Sequence, residues 1–268
     1  MEALTIIFQD YVAIYSLALP RLISIFAMLA FLSQQTLGGT LTRNGILLSL
    51  ALILHPVVSV EMDTVDTLPH GTLSLIIIKE VFIGVVMGFS VALIFWAVEA
   101  VGAFIDNQRG ATMASAMDPL SGNQSSPMGT FFVNTITAIF FVTGLFSLFM
   151  ASVYESYKIW PVTSFFPNLN FDLVIFLLKY FGQIVLLAVL LGAPIIIAMF
   201  VAEFGLMLIG RFAPQLNIFF MSMSIKSAVS NFMLVIFLGI MVAFFSTKLG
   251  AIAEVYAELN GVWGDNER

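Results

Sequence analysis

The chain has 268 residues, of which 60% are hydrophobic and only 10% charged, and it carries a net charge of −6. A soluble domain holds about 25% charged residues, so there is too little polar surface here to cover a water-soluble globule, and an integral membrane protein is the class that fits. There is no cysteine, which excludes disulfides, thiol catalysis and iron–sulfur clusters. The acidic excess lies at Glu61, Asp63 and Asp66 and in a tail of Glu254, Glu258, Asp265 and Glu267. Without a basic patch, nucleic acid is not an expected partner.

In chain order, the N-terminal Met-Glu-Ala-Leu lacks a basic region, and the apolar run 11–19 ends in Pro20-Arg21. The segment is therefore expected to belong to the mature protein and not to a removed signal peptide. Residues 11–32 are apolar around that proline, which removes a helical hydrogen bond and kinks a helix. A Gly/Thr/Gln-rich link covers 33–44. Residues 46–60 are short and interrupted by His55-Pro56, which suits half of a hairpin. An acidic link ending near Pro69 follows.

A spanning helix needs about 20 apolar residues, and 81–98, 130–153, 180–202 and 227–247 are read as membrane-depth helices. Phe140 is expected to face lipid. Residues 154–172, with Trp160-Pro161 and Pro167, suit an interfacial loop. The stretch 173–209 is too long for one upright helix, and Gly192-Ala193-Pro194 offers a place to bend it into a hairpin. An unbroken helix and a hairpin leave the C-terminus on opposite sides. Arg43, Arg109, Arg211 and Lys226 weakly mark three connections as cytoplasmic, which puts the acidic 61–71 link outside. No repeat and no domain boundary is visible. The expected fold is a single all-α membrane-embedded domain over 1–268, with several helices broken or paired as hairpins and a short acidic tail from about 249.

Charges inside apolar stretches cost about 2.5–3.5 kcal/mol each and are usually paired or face water. Arg21, Lys79, Glu80, Glu99 and Glu203 are such charges. Lys79-Glu80 and Glu203 read most simply as helix ends that snorkel to the interface. Glu99, Ala103, Asp106 and Gly110 recur at helical spacing, so the sharper reading has Glu99 and Asp106 lining a wet cavity or a partner groove. Gly84, Gly88 and Ala92 give one helix a small face, for packing within this chain or against another subunit.

The most informative segment is Asp106, Asn107, Gln108, Arg109, Gly110, Ala111, Thr112, Met113, Ala114, Ser115, Ala116, Met117, Asp118 and Pro119. It begins polar and continues small and Met-containing, a mix that adapts to varied surfaces. Composition alone leaves open an ordinary connecting loop or an adaptable plug. Two histidines, His55 and His70, make a transition-metal site unexpected. Neither a P-loop nor a nucleophile elbow occurs, so no cofactor and no catalytic set are expected, and the chain is not read as an enzyme.

Three stretches together resemble the FliR/SctT family of type III secretion export-apparatus proteins. They are 81–89, then 100–110 continuing to Met117-Asp118-Pro119 and 126–129, and then 211–217 followed by 224–227. The strings Asp-Asn-Gln-Arg-Gly and Arg-Phe-Ala-Pro-Gln-Leu-Asn are the specific ones, and both look closer to the injectisome branch (SctT) than to the flagellar branch (FliR). The resemblance implies a bacterial inner-membrane subunit of a helical export gate. Its implied partners are the SctR and SctS (FliP and FliQ type) subunits, the SctU (FlhB type) switch protein, secreted substrates in transit and membrane lipid. It implies that the 106–119 segment is the plug of the closed pore. By the same resemblance Arg211, Pro214, Gln215, Asn217 and Lys226 are assigned to subunit contacts, to which Gly84, Gly88 and Glu99 are added. A stand-alone transporter or channel is the alternative.

Overall fold

The computed structural model describes residues 2–33, 36–58, 70–111, 126–162, 171–213, 215 and 217–250. Among them every regular element is a helix. They are α1 (Glu2–Met28), a 3-10 turn (Ala30–Leu32), α2 (Thr40–Val58), α3 (His70–Gln108), α4 (Pro127–Val142), α5 (Leu145–Ile159), α6 (Phe171–Phe212) and α7 (Ile218–Gly250). In a low-water environment a helix satisfies its own backbone, so apolar stretches of this length have few other options.

Three of these helices contain stretches long and apolar enough to cross a membrane, Leu73–Gln108, Leu177–Phe212 and Ile218–Phe244, and α4 with α5 qualifies only as a pair. The chain is a membrane protein. With 39 residues in α3 and 42 in α6, and a rise of about 1.5 Å per residue, both run to roughly 60 Å, about twice a hydrocarbon core.

Three expectations need correction, and one question left open is decided. The 130–153 block is two helices, broken at Thr143 and Gly144. Gly144 has φ +75°, a left-handed conformation that glycine reaches without a Cβ penalty. The 173–209 stretch is one continuous helix through Pro194. A single proline inside a long apolar helix is tolerated when the alternative is exposed backbone in lipid. The 154–172 loop starts late, because α5 continues to Ile159, and the Tyr157 hydroxyl, donating to the Ala18 carbonyl at 2.8 Å, holds its last turns in the core. Phe140 is fully buried, edge-on to Phe95 with ring centroids 5.7 Å apart.

The helices form two compact units. The first takes the described residues of Met1–Leu93 and Gly144–Leu178, the second Ile94–Thr143 and Lys179–Gly250. In the first, α1 lies against α3 with Leu22, Ile25, Phe26, Ile76 and Ile83 buried. A Cβ on Gly84 would collide with the Arg21 carbonyl, and one on Gly88 would sit 3.0 Å from the Ile25 Cα and the Met28 Cβ. The small face of α3 is thus filled by α1 of the same chain, the intrachain alternative, and has no room for another subunit. In the second unit, Phe95, Ile105, Phe132, Ile136 and Met199 are buried. The outer faces of α6 and α7 expose Val189, Phe200, Phe232 and Val235, among others.

Candidate functional site

Among the described residues, each unit holds a buried polar centre built on a fully buried carboxylate. In the first, Arg21 of α1 and Lys79 and Glu80 of α3 meet the end of α5. The Arg21 guanidinium donates to both Glu80 oxygens, Nε to Oε2 at 2.7 Å and Nη2 to Oε1 at 2.9 Å. It also donates to the Ser156 hydroxyl at 2.9 Å and the Trp160 carbonyl at 3.1 Å, and it lies 3.9 Å from the centre of the Tyr157 ring. Lys79 Nζ is 3.0 Å from Glu80 Oε1 and donates to the carbonyls of Pro161 and Val162, both at 2.9 Å. Two cations therefore face one carboxylate. Carbonyls at and beyond the C-terminus of α5, where the helix dipole is negative, add to the stabilisation of the cations. Lys79-Glu80 lies inside a continuous helix and is buried, which overturns its reading as a snorkelling helix end. This centre joins α1, α3 and the end of α5.

The second centre lies where α3 ends and α4 begins. Asp106 is 1% exposed. Its Oδ2 accepts from the Ser126 hydroxyl at 2.5 Å and from the Met128 amide at 2.9 Å. Its Oδ1 is 2.6 Å from Arg109 Nη2, one turn on. Ser126 is the N-cap of α4, its hydroxyl accepting from the Gly129 amide, and Pro127 occupies the first helical position. Below this, α3 and α4 cross closely, and a Cβ on Gly102 would collide with the Gly129 backbone. Gly110, at φ +82°, sits beside the Met223 side chain of α7. Also in this unit, Lys226 of α7 pairs with Glu203 of α6 at 3.1 Å.

The polar stripe expected on α3 is split. Glu99 is exposed while Asp106 is buried, so one water-filled groove does not take both side chains. Arg211, Gln215 and Asn217 are exposed. The positions Thr112 to Pro119, together with Pro214, lie outside the described residues. Sequence reasoning missed Ser126, Ser156 and Tyr157. Ser126-Pro127 ahead of an apolar run is an N-cap followed by proline at the first helical position, and that signature was there to be read.

Residues 12–252 match the family described as bacterial export proteins, family 1. The chain belongs to that family. This export protein is 46% identical over 227 residues to the Yop proteins translocation protein T of Yersinia pestis, covering 83% of this chain and 85% of the relative. It is 31% identical over 223 residues to the secretion system apparatus protein SsaT of Salmonella typhimurium, covering 82% and 84%. The flagellar biosynthetic protein FliR of Bacillus subtilis is 30% identical over 164 residues, 60% of this chain and 63% of that one. The higher identity of the Yersinia relative, 46% against 30%, bears out an injectisome-type member over a flagellar one.

Proposed function

We propose that this export protein is a non-enzymatic subunit of a type III protein export gate in the bacterial inner membrane. It shares a protein-conducting pore with SctR- and SctS-type subunits, next to an SctU-type switch protein, and its 106–119 segment plugs that pore when no substrate is in transit. The observation that carries the reading is the likeness, over 83% of the chain, to a translocation protein. Three physical features support it. The long helices exceed a bilayer. The apolar faces of α6 and α7 are largely open within the single chain, as subunits of a helical assembly require. The polar centre at Asp106 stands at the base of the proposed plug. Arg211, Gln215 and Asn217, exposed at the α6–α7 connection, are kept as proposed subunit contacts with Pro214 and Lys226, and exposed Glu99 with them. Gly84 and Gly88 are withdrawn from that set because α1 covers them.

A stand-alone transporter is the rival. Buried charges and proline-containing helices are what such transporters use, but here the Arg21–Lys79–Glu80 charges are consumed by one another and by α5. Affinity isolation of the tagged chain from bacterial membranes separates the two. It is expected to recover SctR- and SctS-type subunits in one detergent-stable complex. Solute uptake into liposomes by the chain alone would contradict the gate.

A further inference from the structure

We propose that Asp106 is a positioning residue that joins the end of α3 to the start of α4, the two helices that flank the plug segment; this rests on the plug reading above. The start of α4 shows why one carboxylate matters so much. The first amides of a helix have no partner inside it. Here Pro127 has no N–H, the Gly129 amide is satisfied by the Ser126 hydroxyl, and the Thr130 amide by the Ser126 carbonyl at 2.9 Å. The Met128 amide alone is satisfied from outside, by Asp106 at 2.9 Å. The same carboxylate oxygen takes the proton of the capping serine, and a negative charge at a helix N-terminus is favoured by the dipole. Asp106 belongs to the last turn of α3, so this bond closes the chain on itself just before Ala111 and just after the segment that leads to Ser126.

The closure has a second tie, the backbone contact of Gly102 with Gly129, which admits no side chain. That contact fixes how near the helices approach, while Asp106 fixes the rotation and start of α4. Arg109 does a different job. It pairs with Oδ1 from the turn that ends α3 and so orients the carboxylate toward α4.

The test is resting ion conductance of the assembled export complex in its native membrane, with no substrate in transit, alongside recovery of the complex. A hydrogen bond to a charged group is strong enough that its loss shifts an open–closed balance by roughly tenfold or more. Asp106→Ala is expected to raise the leak about tenfold, toward that of a chain lacking residues 111–117, at undiminished complex recovery. Asp106→Asn keeps an acceptor oxygen and is expected to restore most of the seal, whereas Asp106→Leu, which fills the space with no acceptor, is expected to leak like Asp106→Ala; a tight Asp106→Leu complex would make the role one of packing. Arg109→Met is expected to leak far less than Asp106→Ala, because the bond to α4 survives. A tight Asp106→Ala complex beside a leaking deletion would overturn the role of Asp106 and leave the plug standing. Tight membranes in both would overturn both. Should Asp106→Ala fail to assemble, Ser126→Ala, which removes one hydroxyl, is expected to leak measurably, and a tight seal there would overturn the proposal.

Discussion

Replacing Glu80 by Ala is expected to destabilise the first unit by about 3–5 kcal/mol, the cost of removing one partner from a buried ion pair. Glu80 is fully buried, and it pairs with both Arg21 and Lys79. Its loss removes the carboxylate that both cations share, and a buried charge that loses its partner is costly. Glu80→Gln keeps the acceptor oxygen and is expected to fall between. The triple change Arg21→Met, Lys79→Met and Glu80→Leu is expected to be milder than Glu80→Ala, since it leaves none of the three charges behind. Denaturant unfolding in detergent micelles, followed by the burial of Trp160, reads all three. A Glu80→Ala chain within about 1 kcal/mol of the original would show that this centre does not hold α1, α3 and α5 together.

Deleting residues 111–117 is expected to turn a tight membrane into one that leaks small ions, while the complex with SctR- and SctS-type subunits still assembles. The clamp of Asp106 on Ser126 and Met128 and the Gly102–Gly129 crossing lie outside the deleted stretch. The helix ends are therefore kept, and the shortened connection still has to join Gly110 to Ser126 across a gap that Asp106 already closes. Leak at normal assembly separates loss of a plug from loss of a fold. The readout is membrane potential in cells carrying the complex without substrate, and an unchanged potential at normal assembly would remove the plug role.

Much of this was legible in the residues, and the misses share a cause. Apolar length alone marks α3, α6 and α7, because a run of that length has no soluble fold open to it. The motif at 106–110 points to a functional position without contacts, since composition cannot tell a plug from a loop. What stayed hidden was pairing across the chain. Arg21 and Glu80 are 59 positions apart, and Lys79-Glu80 beside an apolar run looks the same whether it ends a helix or sits inside one. The small face at Gly84 and Gly88 was read correctly as a close approach, but its occupant depends on where α1 folds back. Prolines left the question of a bend open. Pro20 and Pro194 both lie within continuous helices, where the cost of one missing bond is below that of exposing several. Gly144, with no proline near it, makes the real break.

The measurement that tests the account most directly is site-specific photo-crosslinking from Met113 and Met117 to a substrate stalled in transit, with Val235, exposed on α7, as the control. Crosslinks to substrate from the two methionine positions and not from Val235 are the predicted result, and they would put this segment in the conducting path. Capture of neighbouring subunits alone, unchanged between the idle and the stalled complex, would contradict the plug and make 106–119 a structural connection.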